Sequence, residues 1–313
     1  MDINLYTPHE KLTRKSFLSM DEQTVEDIFE LLKKTRMLKR QTKAGEVIDT
    51  LQGKVLAVVN DLPSVRTKAS LSLAVKKCGG SLVYLATREE RKKSCESVTD
   101  ILLSLDNFAF DGFFVRTDEK VNFPAVAQKM KRPLICGLTQ ITNPCQALSD
   151  LYTIWEKKGK LADLKLAWVG RCSALTNSVI IGAVKCGMSV AVACPKDAAP
   201  DTEVFNTAMQ YGDVWMTEDV AAAVKNADVI YTDGFFDLDE SERLAHAKEL
   251  EAFKVTEEVM ALANEDAIFM HNLPVYAGLE VSEGVLNSPH AIINEQTENR
   301  VYALQAILSL LLK

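Results

Sequence analysis

From about residue 50 the chain alternates short apolar runs of strand length with longer stretches whose apolar residues recur three and four apart. Parallel neighbours cannot be joined by a tight turn, so this alternation predicts a parallel sheet wound by crossover helices. Two such series can be separated. The first holds VLAVVN at 55–60, SLVYLA at 81–86, GFFVR at 112–116 and PLICGL at 133–138. The second holds LKLAWVG at 164–170, MSVAVACP at 188–195, DVWMT at 213–217, DVIYTD at 228–233 and AIFMHNLP at 267–274. Between them, residues 145–160 read as a helix ended by Gly159 that ties one series to the other. Residues 19–40 form an opening helix with an acidic first turn and a basic last turn, and residues 298–313 form a closing one. The fold class is α/β, with two doubly wound parallel-sheet domains.

At 313 residues and 47% hydrophobic composition the chain can fill more than one core. Its net charge of -7, with Lys and Arg spread along the chain, disfavours nucleic acid and anionic membrane as partners. Seven cysteines without CxxC spacing read as reduced thiols of a cytoplasmic protein. The charged N-terminus has no apolar core of signal-peptide length and the longest apolar runs elsewhere are strand-sized, so neither export nor a membrane span is expected. Four scattered histidines lack ligand spacing, which argues against a histidine-based metal site.

Ligands of open parallel sheets bind beyond the carboxyl ends of the strands, so the residues there are the candidates. After the first strand, Ser64 can cap a helix whose free N–H groups, with Arg66, Thr67 and Lys68, make an anion site. Alone, the same residues also describe a capped helix with a surface arginine. Arg116 ends the third strand at the same end of the sheet. After the fourth, Asn143-Pro144 can start a turn and place Gln146 in the first turn of the connecting helix, its amide facing the crevice. In the second series Leu273-Pro274 is a candidate cis peptide. Arg300, beside Glu298 and Asn299, opens the last helix.

Together, RKSFLSMDEQT, SVRTK, VRT, GLTQITNPCQALSDLYTIWE, LAWVG, ADVIYTD, MHNLP and the final ENR resemble, in order and spacing, the aspartate and ornithine transcarbamylases, the latter more closely. The resemblance implies two α/β domains joined by two interdomain helices, usually assembled as a homotrimer and using no cofactor. Residues 1–145 with helix 294–313 would bind carbamoyl phosphate, and residues 146–293 a small amine or amino acid. By position, Ser64, Val65, Arg66 and Thr67 stand for the phosphate loop, Arg116 for the arginine bridging phosphate and carbonyl oxygen, and Arg300 for the late arginine. Asn143 replaces a histidine that donates to the carbonyl oxygen. Gln146 and the Leu273 carbonyl would bind the carbamoyl NH2. Arg116, Asn143 and Gln146 would thus be the catalytic set. Residues 87–97 match a loop donated by a neighbouring subunit, with Arg91 as its contributor.

The acceptor motifs depart from the family. Arg171-Cys172-Ser173-Ala174 stands where ornithine transcarbamylases carry Asp-Gly-Asn-Asn, and Asn272 replaces a cysteine near the attacking amine. Asp233 is kept, and Asp237 adds a charge where the family has a hydroxyl. The acceptor set is then Arg171, Asp233, Asp237 and Asn272. The two aspartates favour a cationic amine, while an inward Arg171 would hold an acid group. These departures imply an acceptor other than ornithine or aspartate; the alternative is a catalytically silent relative that serves as a binding or assembly protein. A nicotinamide dehydrogenase is disfavoured because WVGRCSALTNS supplies one glycine where a dinucleotide loop needs three, and no P-loop motif occurs.

Overall fold

The computed structural model describes residues 2–62, 64–85, 88–234 and 251–313. The chain divides into two compact units, one of Leu5–Tyr152 with Glu298–Lys313, the other of Thr153–Thr297 with the residues preceding Leu5.

In chain order the first unit contains α1 (Val25–Lys43), β1 (Val55–Asn60), α2 (Val65–Lys77), β2 (Ser81–Tyr84), α3 (Arg88–Ser94), α4 (Val98–Leu105), β3 (Gly112–Arg116), α5 (Phe123–Lys129) and β4 (Leu134–Leu138). Its four strands are parallel in the order β2-β1-β3-β4. The edge at β4 is partly covered by Phe17, whose N–H donates to Leu134 O at 2.9 Å and whose carbonyl accepts from Cys136 N at 2.8 Å. α1 starts later than the acidic stretch suggested, because Thr24 and Asp27 form a reciprocal capping box. The strand interiors Val59, Phe113 and Val115 pack with Val98, Leu102 and Phe123 in one apolar cluster.

α6 (Pro144–Lys158) leads to β5 (Lys165–Val169), α7 (Ala174–Lys185), β6 (Ser189–Ala193), α8 (Thr202–Tyr211), β7 (Val214–Thr217), α9 (Val220–Val224), β8 (Val229–Asp233), α10 (Glu257–Met260), β9 (Ile268–Asn272), α11 (Glu283–Leu286) and α12 (Ile293–Leu311). The second unit's five strands are parallel in the order β7-β6-β5-β8-β9. Its core joins Val169, Ala191, Ala193, Ile230, Val255 and Phe269. α6 and α12 each contribute residues to both units. α12 begins five residues before Glu298, so Arg300 lies inside the helix rather than at its start. Among the described residues no helix is long and apolar enough to cross a membrane.

Both sheets reverse winding direction beside their first strand, between β1 and β3 and between β5 and β8. These switch points open a crevice at the strand ends. Register puts Arg116 opposite Asn60, where the chain leaves β1. In the other sheet it puts Asp233 opposite Asn272.

A Cβ at Gly137, in β4, would lie 2.2 Å from Cζ of the buried Phe114. Gly137→Ala is therefore expected to cost about 1–3 kcal/mol by overpacking, measured as a lower urea midpoint at unchanged slope.

Candidate functional site

The first unit's site is organised by the hydroxyl of Thr67, a residue 2% exposed. Ser64 caps α2, its Oγ accepting from Thr67 N at 3.2 Å and from Thr67 Oγ1 at 3.1 Å. The same Oγ1 accepts from Arg300 Nη2 at 2.7 Å and from Arg116 Nη1 at 3.3 Å. One donor and two acceptor positions are all that a hydroxyl has. Thr67 thus fixes two guanidinium groups at the N-terminus of α2. Arg116 is held further by its Nε, which donates to Leu62 O at 3.0 Å. Burial pushes the Arg116 guanidinium down to about 10, and the charges of Arg300 and Arg66 push the same way.

Three cations beside free helix N–H groups are complementary to a dianionic phosphate, which arginine forks bind in bidentate fashion. Arg66 is half-buried, while Val65 is 85% exposed and brings no hydroxyl to the loop. Asn143 is buried just before α6, its carbonyl accepting from Ala147 N at 3.2 Å. Buried Gln146 donates its Nε2 to Asp150 Oδ1 at 2.8 Å. Its amide is therefore turned along its own helix, and its Oε1 is the atom that can accept from an NH2 group. Asp150 was overlooked in the sequence, although a Gln and an Asp four apart on a helix face each other.

Arg91, expected to serve a neighbouring subunit, is paired within its own unit in this chain. It is 1% exposed and directed into its own unit, ion-paired with Asp61 and, at 2.7 Å, with Glu119 Oε1. It also donates to Glu96 O at 3.2 Å, and Thr117 Oγ1 donates to Asp61 Oδ2 at 2.6 Å. Two carboxylates near the ends of β1 and β3 draw it inward, because a buried guanidinium needs paired charge. Asp61 lies three residues before Ser64, so this network anchors the chain just ahead of the α2 cap.

In the second unit, Asp233 at the end of β8 is buried. Its Oδ1 accepts from Gly234 N at 2.9 Å, and both its oxygens lie 3.4 Å from Asn272 Nδ2. Ser173 Oγ, 3.5 Å from Oδ2, also caps α7. Asp233 and Asn272 are thus brought together, and Ser173 joins them. Arg171 is directed elsewhere: its Nη1 lies 3.9 Å from Asp197 Oδ2, on the turn after β6. Asp237 lies outside the described residues. The Leu273-Pro274 peptide is cis. The preceding His271 is buried, with Nε2 2.9 Å from Glu280 Oε1, and the same oxygen accepts from Tyr276 N at 2.7 Å. Glu280 was not singled out in the sequence, where it reads as one more loop carboxylate.

Residues 15–156 match the family description "Aspartate/ornithine carbamoyltransferase, carbamoyl-P binding domain", and residues 162–311 match "Aspartate/ornithine carbamoyltransferase, Asp/Orn binding domain". An ornithine carbamoyltransferase of Oceanobacillus iheyensis is 34% identical over 310 residues, covering 97% of this chain and 96% of its own. One from Carboxydothermus hydrogenoformans is 36% identical over 304 residues, covering 95% and 97%. The solved ornithine carbamoyltransferase of Pyrococcus furiosus superposes with a TM-score of 0.91 at 33% identity, covering 96% of this chain and 98% of that one.

Inorganic phosphate is expected to raise the melting temperature, and Arg300→Met or Thr67→Val to weaken its binding at least tenfold, about 1.4 kcal/mol. Calorimetric titration checks this; unchanged affinity in both variants would contradict it. Folding depresses the proton affinity of Arg116 below the ordinary guanidinium value, so its charge burdens the folded state below about pH 10 and that burden lifts as pH rises further. Anion binding runs oppositely. Phosphate-dependent stabilisation should persist at mildly alkaline pH and fall as pH passes about 10.

Proposed function

The chain belongs to the aspartate/ornithine carbamoyltransferase family, and we propose that it moves the carbamoyl group of carbamoyl phosphate to a cationic primary amine other than ornithine or aspartate. The observation that carries the first half is the shared hydroxyl of Thr67, which gathers Arg116 and Arg300 at the helix N-terminus that Arg66 also borders. The buried carboxylate of Asp233 beside Asn272 supports the second half.

In this reading Ser64, Arg66, Thr67, Arg116 and Arg300 hold the phosphate, with the Val65 N–H in the same helix turn. Arg116 and the Asn143 amide donate to the carbonyl oxygen. Gln146 Oε1 accepts from the carbamoyl NH2, and the Leu273 carbonyl is assigned the same task. A neutral amine attacks the carbamoyl carbon and the carbonyl oxygen becomes an oxyanion. The C–O bond to phosphate then breaks, and the proton lost by the amine leaves with the phosphate. Fixed cations act where charge develops, so they stabilise the oxyanion and the leaving group more than the ground state. Asn143 can donate only as a neutral group, where a histidine could carry charge, and Val65 supplies no hydroxyl. Both substitutions subtract from transition-state binding.

Asp233 would pair with a second, charged amine of the acceptor, leaving the attacking amine neutral. Arg171 has an internal carboxylate, Asp197, 3.9 Å away, which supports a diamine or a basic amine over a dicarboxylic acceptor. Arg91, paired inside its own unit, has no part in this reading. A cytoplasmic homotrimer remains the proposed setting, following the family pattern.

Purified protein, carbamoyl phosphate and a pool of amino acids and diamines should yield a ureido product detected by mass spectrometry. That product should be absent with Arg66→Ala and reduced at least 100-fold with Asp233→Asn, roughly the loss of one charge-assisted contact. No product with any amine, despite saturable carbamoyl phosphate binding, would replace this reading with that of a silent binding protein.

A further inference from the structure

The second unit's sheet ends in two thiols that carbamoyl transfer does not employ. Val169 and Ala193 face each other across β5 and β6, and Gly170 N donates to Ala193 O at 2.9 Å. The chain leaves β6 directly into Cys194, and leaves β5 through Gly170 and Arg171 into Cys172. Cys172 N donates to Ala198 O at 2.9 Å, which ties this turn back onto the one after β6. The Cys172 and Cys194 side chains are hydrogen-bonded to each other. Both thiols therefore lie on adjoining segments just beyond the ends of two neighbouring strands.

We infer that Cys172 and Cys194 are a redox-active dithiol that closes to an intramolecular disulfide when the protein meets a peroxide. The Cys194 thiolate attacks one peroxide oxygen, the O–O bond breaks, and a sulfenic acid and hydroxide result. The Cys172 sulfur then attacks the Cys194 sulfur, its proton leaves with the hydroxyl as water, and the S–S bond forms. Peroxide is reduced and the two thiols are oxidised.

The environments of the two sulfurs divide these roles. Cys172, half-buried, is pushed well up by burial and then by its hydrogen bond to Cys194. Cys194 is lowered by the hydrogen bond with Cys172, against burial and the nearby Glu218 and Asp197 charges. A thiol with raised thiolate character is the one that reacts first. The pair Cys136 and Cys145 provides an internal contrast: Cys145 donates to Cys136 O at 3.3 Å rather than to its sulfur, and burial raises both, whereas Cys194, though also buried, is lowered by its bond with Cys172. That pair should stay reduced.

Cys172 lies between Arg171 and Ser173, and Ser173 both caps α7 and faces Asp233. A bridge would fix this turn. Its effect on acceptor use rests on the proposed function, whereas formation of the bond does not.

Full-length reduced protein, in a Cys95→Ser background that removes the exposed thiol, is treated with hydrogen peroxide, alkylated, and digested without reduction. Two thiols fewer on denaturing titration are expected, together with a Cys172–Cys194 cross-link read by fragment-ion mass spectrometry. Dithiothreitol should reverse it, and both Cys172→Ser and Cys194→Ser, folded by circular dichroism, should lack it. Absence of the link, linkage of Cys136 to Cys145 instead, or irreversible over-oxidation of Cys194 before bridging would overturn the inference. In oxidised protein, carbamoyl phosphate affinity should stay within about twofold while acceptor turnover falls at least tenfold; unchanged turnover would overturn the regulatory half. If reduced protein carbamoylates nothing, the proposed function fails while the disulfide result stands on its own.

Discussion

Guanidinium groups of like charge gathered beside one buried hydroxyl set the terms for the first unit. Arg116 and Arg300 come from a strand end and from the last helix, 184 residues apart in number, and meet on Thr67 Oγ1. Moving the Arg116 guanidinium to about 10 corresponds to a bias of roughly 3 kcal/mol against its charged form. Most of that bias comes from burial; a dianion placed among these groups offsets the smaller part due to the Arg300 and Arg66 charges and adds charge-assisted hydrogen bonds of about 1.5–3 kcal/mol each. The fold supplies what this needs: the switch point between β1 and β3 lets Arg116 stand opposite Asn60, and the Asp61–Arg91–Glu119 network ties together the residues just beyond those two strands.

The second unit reverses the sign. Its switch point carries Asp233, with Asn272 in register on β9 and Ser173 at the cap of α7. Arg171, the one cation beside this group in sequence, turns toward Asp197. A cluster of arginines and a buried carboxylate thus occupy the same topological position in two sheets. That correspondence follows from parallel sheets offering their crevices at the carboxyl ends of their strands.

The strands and the residues just beyond them were legible because hydrophobic runs of strand length stop abruptly at polar residues: VLAVVN before Asp61, GFFV before Arg116, DVIYT before Asp233. Ser64 was legible as a cap for the same local reason. Side-chain direction was not. Arg91 and Arg171 sit where they could face a ligand, yet each turns to a carboxylate, at position 61 or 197, whose proximity only the folded chain creates. The double use of Thr67 likewise depends on a helix more than two hundred residues away. Local signals were also missed: the Thr24–Asp27 capping box moves the start of α1, and the four-residue spacing of Gln146 and Asp150 fixes which end of the glutamine amide is available. The departures at Val65, Asn143 and Asn272 were visible as letters, but their weight depends on exposure and neighbours, which letters do not carry.

The most direct test of the central claim, that the Thr67-centred arginine cluster is the carbamoyl phosphate site, is a crystal structure of the protein grown with carbamoyl phosphate. The account predicts phosphate oxygens within hydrogen-bonding distance of Arg66, Arg116 and Arg300 and of the first N–H groups of α2, with the carbamoyl NH2 on Gln146 Oε1. Phosphate bound elsewhere, with the Thr67 contacts to Arg116 and Arg300 undisturbed, would contradict it.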